Sequence, residues 1–353
     1  MCVFSDRGEM MVGSSLKTIT IIVPAYNEET NIERTLTSLL KQSQPADEII
    51  VVDDYSTDNT GQVAEKLGVT VLRPPWNQGS KARAQNFALP YVKTDLTAAI
   101  DADTALQENA LEEMMKVMTD DVVAACSFVL PGKVETVWER GRFIEYLFAF
   151  TFYKEVQDWY GKPLICSGCF SVYRTDMLKK QGGWPTRTLA EDMDLTWSYY
   201  AKGEKVKFTG KAFCYPLEPH NLTFLGKQLK RWSHGFIQNV VLHWSDLLRI
   251  PTLREQVFVG LTDAIVTGAL FFIFTPLFLV INPVLLGYLF VSDWLFITVP
   301  VVWKGYQLKM LRKALTSLPF FFVLRVVNSV YFFRALFSEL ILNKSFTTYE
   351  KGH

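Results

Sequence analysis

The sequence predicts an α/β domain on a doubly wound sheet, followed by apolar helices that enter a membrane. Three observations predict it. Across residues 18–100, β-branched runs alternate with stretches of helical character. Acids stand at the ends of those apolar runs rather than inside them. Apolar residues, 49% of the chain, crowd its last third, where 257–302 holds Asp263 and Asp293 as its only charges.

Residues 1–17 carry two acids, two bases and no apolar run, so they read as a loose tail with nothing to direct secretion. Residues 18–23 are a β-branched run ended by Pro24, and Thr30 with Glu33 reads as a capping box opening a helix to about Gln42. The strand pattern returns at Glu48–Asp53, 69–73 and Leu96–Ile100, with helical stretches near 60–67 and 81–89 between. Strands separated by helices imply a parallel sheet, and such sheets bind ligands at the carboxyl ends of their strands. Tyr26-Asn27-Glu28, Asp53-Asp54 and Asp101-Ala102-Asp103 stand at such ends, which suits a nucleotide-type ligand.

As helix, 257–302 would be about 69 Å long, roughly twice a hydrocarbon core of about 30 Å. Ile281-Asn282-Pro283 breaks it into a hairpin with spans at about 257–281 and 284–302, because proline lacks the N–H a helix needs. The following stretch, 304–317, carries Lys304, Lys309, Arg312 and Lys313 with no acid, which keeps both hairpin ends cytosolic. A third apolar stretch, 318–342, contains Arg325, Arg334 and Glu339, which either face a protein or water-lined interior or mark an interfacial helix. A crossing would put the C-terminal tail outside; a flat helix would keep it inside. The expected division is thus a tail at 1–17, a cytosolic domain with interfacial helices at 18–244, and a membrane domain at 245–353.

Composition excludes other classes. Thirty-six basic and thirty-six acidic residues cancel, leaving no global field for a nucleic-acid backbone. Cys2, Cys126, Cys166, Cys169 and Cys214 are an odd, scattered set, which argues for a reducing compartment over a disulfide framework. Cys166 and Cys169 have redox or metal spacing, but no second such pair or histidine cluster accompanies them, so they read as a buried structural pair. Gly79-Ser80-Lys81 lacks the earlier glycine of a P-loop.

Each acid has a structural and a chemical use. Asp53 and Asp54 could cap a turn or accept hydrogen bonds from a base or ribose. Asp101 and Asp103, two apart in an extended segment, share one side and could hold a hard divalent cation against a diphosphate. Glu191-Asp192 sits at a helix start, where the dipole favours carboxylates, or supplies the base that an incoming hydroxyl needs. In Gln228-Leu229-Lys230-Arg231-Trp232, Arg231 could clamp a diphosphate and Trp232 lie against a sugar ring, or both could anchor an interfacial helix.

Taken in order, Pro24-Ala25-Tyr26-Asn27-Glu28, Asp53 to Asp58, Asp101-Ala102-Asp103, Glu191-Asp192 and Gln228 to Trp232 resemble the membrane-bound branch of glycosyltransferase family 2. That branch comprises inverting enzymes such as cellulose, chitin, hyaluronan and poly-N-acetylglucosamine synthases. The resemblance covers about 18–244 and the membrane hairpin after it, and implies a GT-A fold and a set of roles. Pro24, Tyr26, Glu28, Asp53 and Asp54 would surround the uridine of a UDP-sugar, with Lys81 near the nucleotide sugar. Asp101 and Asp103 would hold the diphosphate and its Mg2+ or Mn2+. Asp192, beside Glu191, would be the base, while Gln228, Arg231 and Trp232 would close over the diphosphate and acceptor end. The stretch 138–159 and Ser167-Gly168-Cys169 would be acceptor-side elements.

Two substitutions depart from the family pattern but leave the acids in place: Tyr55 stands where glycine is usual, and Ala190 where threonine is common. Two or three spans are also few for a chain that exports its own polymer. The implied function is transfer of a hexose or N-acetylhexosamine from a UDP-sugar to a growing β-linked polysaccharide at the cytosolic membrane face, in a prokaryotic plasma membrane, with a homo-oligomer able to supply a channel. The alternative is a single transfer to a glycolipid or lipid-linked sugar, as in ceramide glucosyltransferase-like relatives that share the Q-x-x-R-W element. Sugar-phosphate nucleotidyl transfer would call for a glycine-rich triphosphate loop and no spans, and a non-catalytic scaffold would have lost the motif acids.

Overall fold

The computed structural model describes residues 17–342 and 344–346. The expected tail, including Cys2, and the end of the chain from 347 on lie outside the described residues.

The first half alternates as the sequence implies: β1 (Ile19–Ala25), α1 (Ile32–Leu40), β2 (Glu48–Asp53), α2 (Thr60–Lys66), β3 (Thr70–Leu72), α3 (Lys81–Ala88) and β4 (Leu96–Ile100). Then come β5 (Ala105–Leu106), α4 (Ala110–Val117), β6 (Val122–Val129), α5 (Val137–Phe148), a π-helical turn at Ala149–Tyr153, α6 (Lys154–Trp159), β7 (Phe170–Arg174), α7 (Thr175–Gln181), α8 (Glu191–Ala201), β8 (Lys205–Tyr215) and α9 (Leu222–Leu242). The strands form one eight-stranded sheet in the order β3-β2-β1-β4-β7-β6-β8-β5. β3, β2, β1 and β4 are parallel, as expected. The rest of the sheet is mixed: β7 enters antiparallel between β4 and β6, while β6 and β8 pair in parallel. β1, β4 and β6 are buried almost throughout, as strands covered on both faces must be.

The capping box predicted at Thr30 and Glu33 does not form. Asn31 is the N-cap of α1 and its side-chain amide instead donates to Glu28 Oε2 at 2.8 Å. A capping box does open α5, where Thr136 accepts from the Glu139 N–H and the Glu139 carboxylate accepts from the Thr136 N–H at 2.9 Å.

After a short α10 (Trp244–Arg249), three helices are long and apolar enough to cross a membrane. The first, Pro251–Ile281, is built from α11 (Pro251–Ala269), a π-helical turn and α12 (Thr275–Ile281). Asn282 caps α13 (Pro283–Gln307), its side chain accepting from the Leu285 N–H at 3.0 Å. The hairpin break therefore falls at Ile281-Asn282-Pro283, and both helices run beyond their purely apolar stretches.

The third helix, α14 (Leu311–Leu340), packs along α5 and α9. Asn328 donates to Glu145 at 2.8 Å, Tyr331 lies against Gly226, and Glu339 meets His234 at 2.6 Å. Arg325 and Glu339 face protein, whereas Arg334 is exposed. Gln238 of α9 also donates to the Phe346 carbonyl at 2.8 Å, so the chain at Phe346 lies against α9.

Candidate functional site

The sheet gathers the donor-side acids at the carboxyl ends of β1, β2 and β4. Backbone donors hold them locally: Asp53 Oδ1 accepts from the Ser56 N–H at 3.0 Å and Asp54 Oδ1 from the Gln78 N–H at 2.7 Å. Arg73 reaches Asp53 at 3.2 Å and lies over the Tyr55 ring. Burial, with the neighbouring Asp53 adding to it, pushes the Asp54 carboxyl above the ordinary aspartate range despite the Gln78 hydrogen bond. Tyr55 has φ of +65°, the left-handed conformation that glycine adopts without cost, which fits the glycine usual at this family position. Glu28 is buried and its N–H donates to Thr60 Oγ1 at 2.8 Å. Pro24 is half-buried at the end of β1, and Tyr26 beside it is exposed.

One hydrogen-bonded chain runs from this edge to the proposed base. The Lys81 ammonium pairs with Asp101 and donates to the Gly168 carbonyl at 2.7 Å. The Gly168 N–H in turn donates to Asp192 Oδ2 at 2.8 Å. A Cβ at 168 would stand 2.9 Å from Lys81 Nζ and 3.2 Å from Asp192 Oδ2, so a larger residue there would shift those groups. Glu191 is buried; burial and the Asp192 charge push its carboxyl above the usual range, against the opposing pull of Lys81 and Arg231. Asp192 is the more accessible member of the pair.

Asp101 and Asp103 end β4, and the Asp103 carbonyl accepts from Arg34 at 3.0 Å. Among the described residues no group of three or more His, Cys, Asp or Glu side chains converges to hold a metal. Two carboxylates completed by substrate phosphates are nonetheless the donor set that Mg2+-type sites use, so this pair fits a divalent cation held jointly with a diphosphate.

Cys166 and Cys169 do not form a buried pair. Cys166 is buried, whereas Cys169 is half-exposed with its sulfur 3.8 Å from that of Cys214, because Gly168 turns the chain toward Lys81 and Asp192.

Around the Gln228 to Trp232 segment the structure supplies a residue that the sequence did not single out. Arg142 on α5 is fully buried, donates to Gln228 Oε1 at 2.7 Å, pairs with Glu145, and lies 3.6 Å from the buried Glu218. Its guanidinium also sits 4.5 Å from the centre of the Trp232 ring. Arg142 thus fixes both ends of the Gln228 to Trp232 segment. The available signal was a pair of charges three residues apart, Arg142 and Glu145, inside an aromatic helical stretch.

A second network seats the helix that carries Glu191 and Asp192. Asp194, fully buried, accepts from Arg187 at 2.6 Å and meets His243 Nε2 at 2.8 Å. Burial opposes charge on His243, yet Asp194 and Asp246 overcome it and raise its pKa above the ordinary histidine value. Gly235 of α9 packs against Ala190, where a Cβ would come within 2.8 Å of the Ala190 nitrogen.

Residues 20–182 match the sequence profile of Glycosyl transferase family 2. The chain is 28% identical over 233 residues to the poly-beta-1,6-N-acetyl-D-glucosamine synthase of Staphylococcus aureus strain COL, covering 62% of this chain and 55% of that protein. To the synthase of the same name from Staphylococcus epidermidis it is 26% identical over 288 residues, covering 78% and 68%. The chain thus spans about half the length, 55%, of the Staphylococcus aureus relative. Its fold is similar to that of a mannosyltransferase from Pyrobaculum calidifontis, solved in complex with GDP-Man and Mn2+, at a TM-score of 0.62 and 18% identity over 94% of this chain and 89% of that one.

Residues 20–182 therefore resemble a glycosyltransferase family 2 domain, with a GT-A fold. Followed by its apolar helices, that domain resembles the poly-N-acetylglucosamine synthase-like, membrane-bound members of the family.

Proposed function

We propose that this protein is an inverting glycosyltransferase that moves a hexose or N-acetylhexosamine from a UDP-sugar to a growing β-linked polysaccharide at the cytosolic face of the membrane. The observation that carries this reading is the continuous chain Asp101–Lys81–Gly168–Asp192, which joins the donor edge of the sheet to a carboxylate beside the Gln228 to Trp232 helix.

Within that frame Asp192 takes the proton from the acceptor hydroxyl as the new bond forms. Its Oδ2 is oriented by the Gly168 N–H, beside Glu191, whose carboxyl burial and the Asp192 charge push above the usual range. Lys81 and Arg231 face the charge that develops on the departing diphosphate. A divalent cation held by Asp101 and Asp103 would supply further neutralisation of that charge. Attack opposite the leaving group inverts the anomeric carbon.

The test incubates membranes containing the protein with Mg2+ or Mn2+ and a panel of radiolabelled UDP-sugars, then separates organic-phase from polymeric product. Label in the polymeric fraction with β anomeric signals by NMR is expected. Label confined to the organic phase would overturn the acceptor, an α linkage the inversion, and no label from any UDP-sugar the donor.

A further inference from the structure

The cysteines among the described residues differ in how far an oxidant can reach them. Cys126, Cys166 and Cys214 are buried, whereas Cys169 is half-exposed in the turn that precedes β7. Oxidation of thiols follows exposure, so Cys169 is the one a small oxidant meets first. Its sulfur lies 3.8 Å from that of Cys214 on β8, close enough to capture an oxidised neighbour. Two hydroxyls flank the pair: Ser167 Oγ stands 3.2 Å from the Cys169 sulfur and Ser127 Oγ 3.4 Å from the Cys214 sulfur.

The two cysteines are unequally fixed. Cys214 is paired on both sides, with Val129 of β6 and Leu106 of β5, and its carbonyl accepts from the Leu130 N–H at 3.0 Å. Cys169 precedes its strand and has no ladder partner of its own. A disulfide needs the sulfurs to close from 3.8 Å to about 2.05 Å, and that movement falls on the Cys169 side.

Cys169 is also joined to the groups that do the proposed chemistry. Its carbonyl accepts from the Asp101 N–H at 3.3 Å. The residue before it, Gly168, accepts from Lys81 at 2.7 Å and donates to Asp192 at 2.8 Å. Drawing Cys169 toward β8 therefore pulls on the peptide that orients the base, and displacement of about 1 Å in such a group lowers rate steeply.

We infer that Cys169 is an oxidation site for small hydroperoxides, that Cys214 resolves it as a disulfide, and that closing this bond slows transfer by displacing Gly168 from Lys81 and Asp192. In the first step the peroxide O–O bond breaks, the Cys169 thiol becomes a sulfenic acid and water leaves. In the second the Cys214 sulfur attacks the Cys169 sulfur, and the departing hydroxide takes the Cys214 proton as a second water. Two thiols are oxidised by two electrons and one peroxide is reduced. A reversible disulfide of this kind suits a reducing compartment, where such bonds act as sensors and not as struts. The oxidation site goes beyond the glycosyltransferase reading; only its effect on rate rests on that reading.

The test treats the full chain in lipid nanodiscs with hydrogen peroxide, blocks the remaining thiols and maps the peptides by mass spectrometry. A peptide pair joined at Cys169 and Cys214 is expected, with Cys126 and Cys166 still free. In the oxidised protein amide hydrogen exchange at Gly168 should rise about tenfold and kcat with a UDP-sugar should fall about tenfold, both reversed by dithiothreitol. Cys214→Ala should start at the wild-type rate and, under peroxide, react with dimedone at Cys169 instead of forming the pair. Absence of the joined pair in the wild type overturns the site. A joined pair with Gly168 exchange and kcat unchanged overturns its coupling to the base. A reduced protein that turns over no UDP-sugar, while the pair forms and Gly168 exchange rises, overturns the glycosyltransferase reading and leaves the oxidation site standing.

Discussion

The proposed donor and acceptor halves of the site are held together by different means. On the donor side backbone N–H groups hold two of the acids: Asp53 by the N–H three residues later, Asp54 by the N–H of Gln78. On the acceptor side charged groups find partners across the fold: Arg142 with Gln228, Glu145 with Asn328, Arg325 with Asp293. A locally capped acid can be altered alone, whereas removing one member of a buried charge network strands the others. Donor-side changes should therefore act on binding and chemistry, and acceptor-side changes on chemistry and stability together.

The largest expected effect tests the junction of the halves. Asp192→Asn should lower the transfer rate about a thousandfold while UDP-sugar affinity by calorimetry stays within about twofold. Appreciable residual transfer would remove Asp192 from the base role. Next, Arg142→Met leaves Glu145 and Glu218 without their cation and should cost about 3–5 kcal/mol, read as a lowered Tm. Adding Glu218→Gln to it should restore part of that Tm; if the double variant is no more stable than the single one, the network does not act as a unit.

Gly168→Ala sharpens the comparison without emptying the core. Its Cβ would press on Lys81 Nζ at 2.9 Å and Asp192 Oδ2 at 3.2 Å, so kcat should fall about tenfold at an unchanged Tm. A wild-type kcat would mean that the Lys81–Gly168–Asp192 chain does not position the base. The smallest effect is a pH dependence. His243 is raised by Asp194 and Asp246, so its stabilising contribution is complete below its unfolded value of about 6.5 and is lost as pH rises through the raised folded value. The Tm difference between wild type and His243→Gln should accordingly be largest near pH 6 and shrink toward pH 9; a difference that grows with pH would contradict the Asp194–His243 pairing.

Legibility in the sequence follows the same division. β1 to β4 could be read because their β-branched runs, their intervening helices and the acids that end them lie within one short span. β6, β7 and β8 were not, since α5, α6 and the loop before β7 interrupt the alternation and β7 runs antiparallel. Thr30 and Glu33 satisfied the capping pattern, but the helix begins at Ile32 after Asn31, whose side chain makes no cap, and the Asn31 and Ile32 N–H groups donate to the Glu28 carbonyl instead. Arg142 escaped notice because its partner Gln228 is 86 residues away, and Glu145 because Asn328 is 183 away. Pairing at such separations leaves no periodic trace.

The contact of Gly235 with Ala190 has a mechanical meaning. α9 bears Trp232 and, three residues on and about 4.5 Å further along its axis, leans on the residue that precedes Glu191. A single helix therefore links Trp232 to the start of the helix that carries Glu191 and Asp192, at a spacing fixed by helical rise.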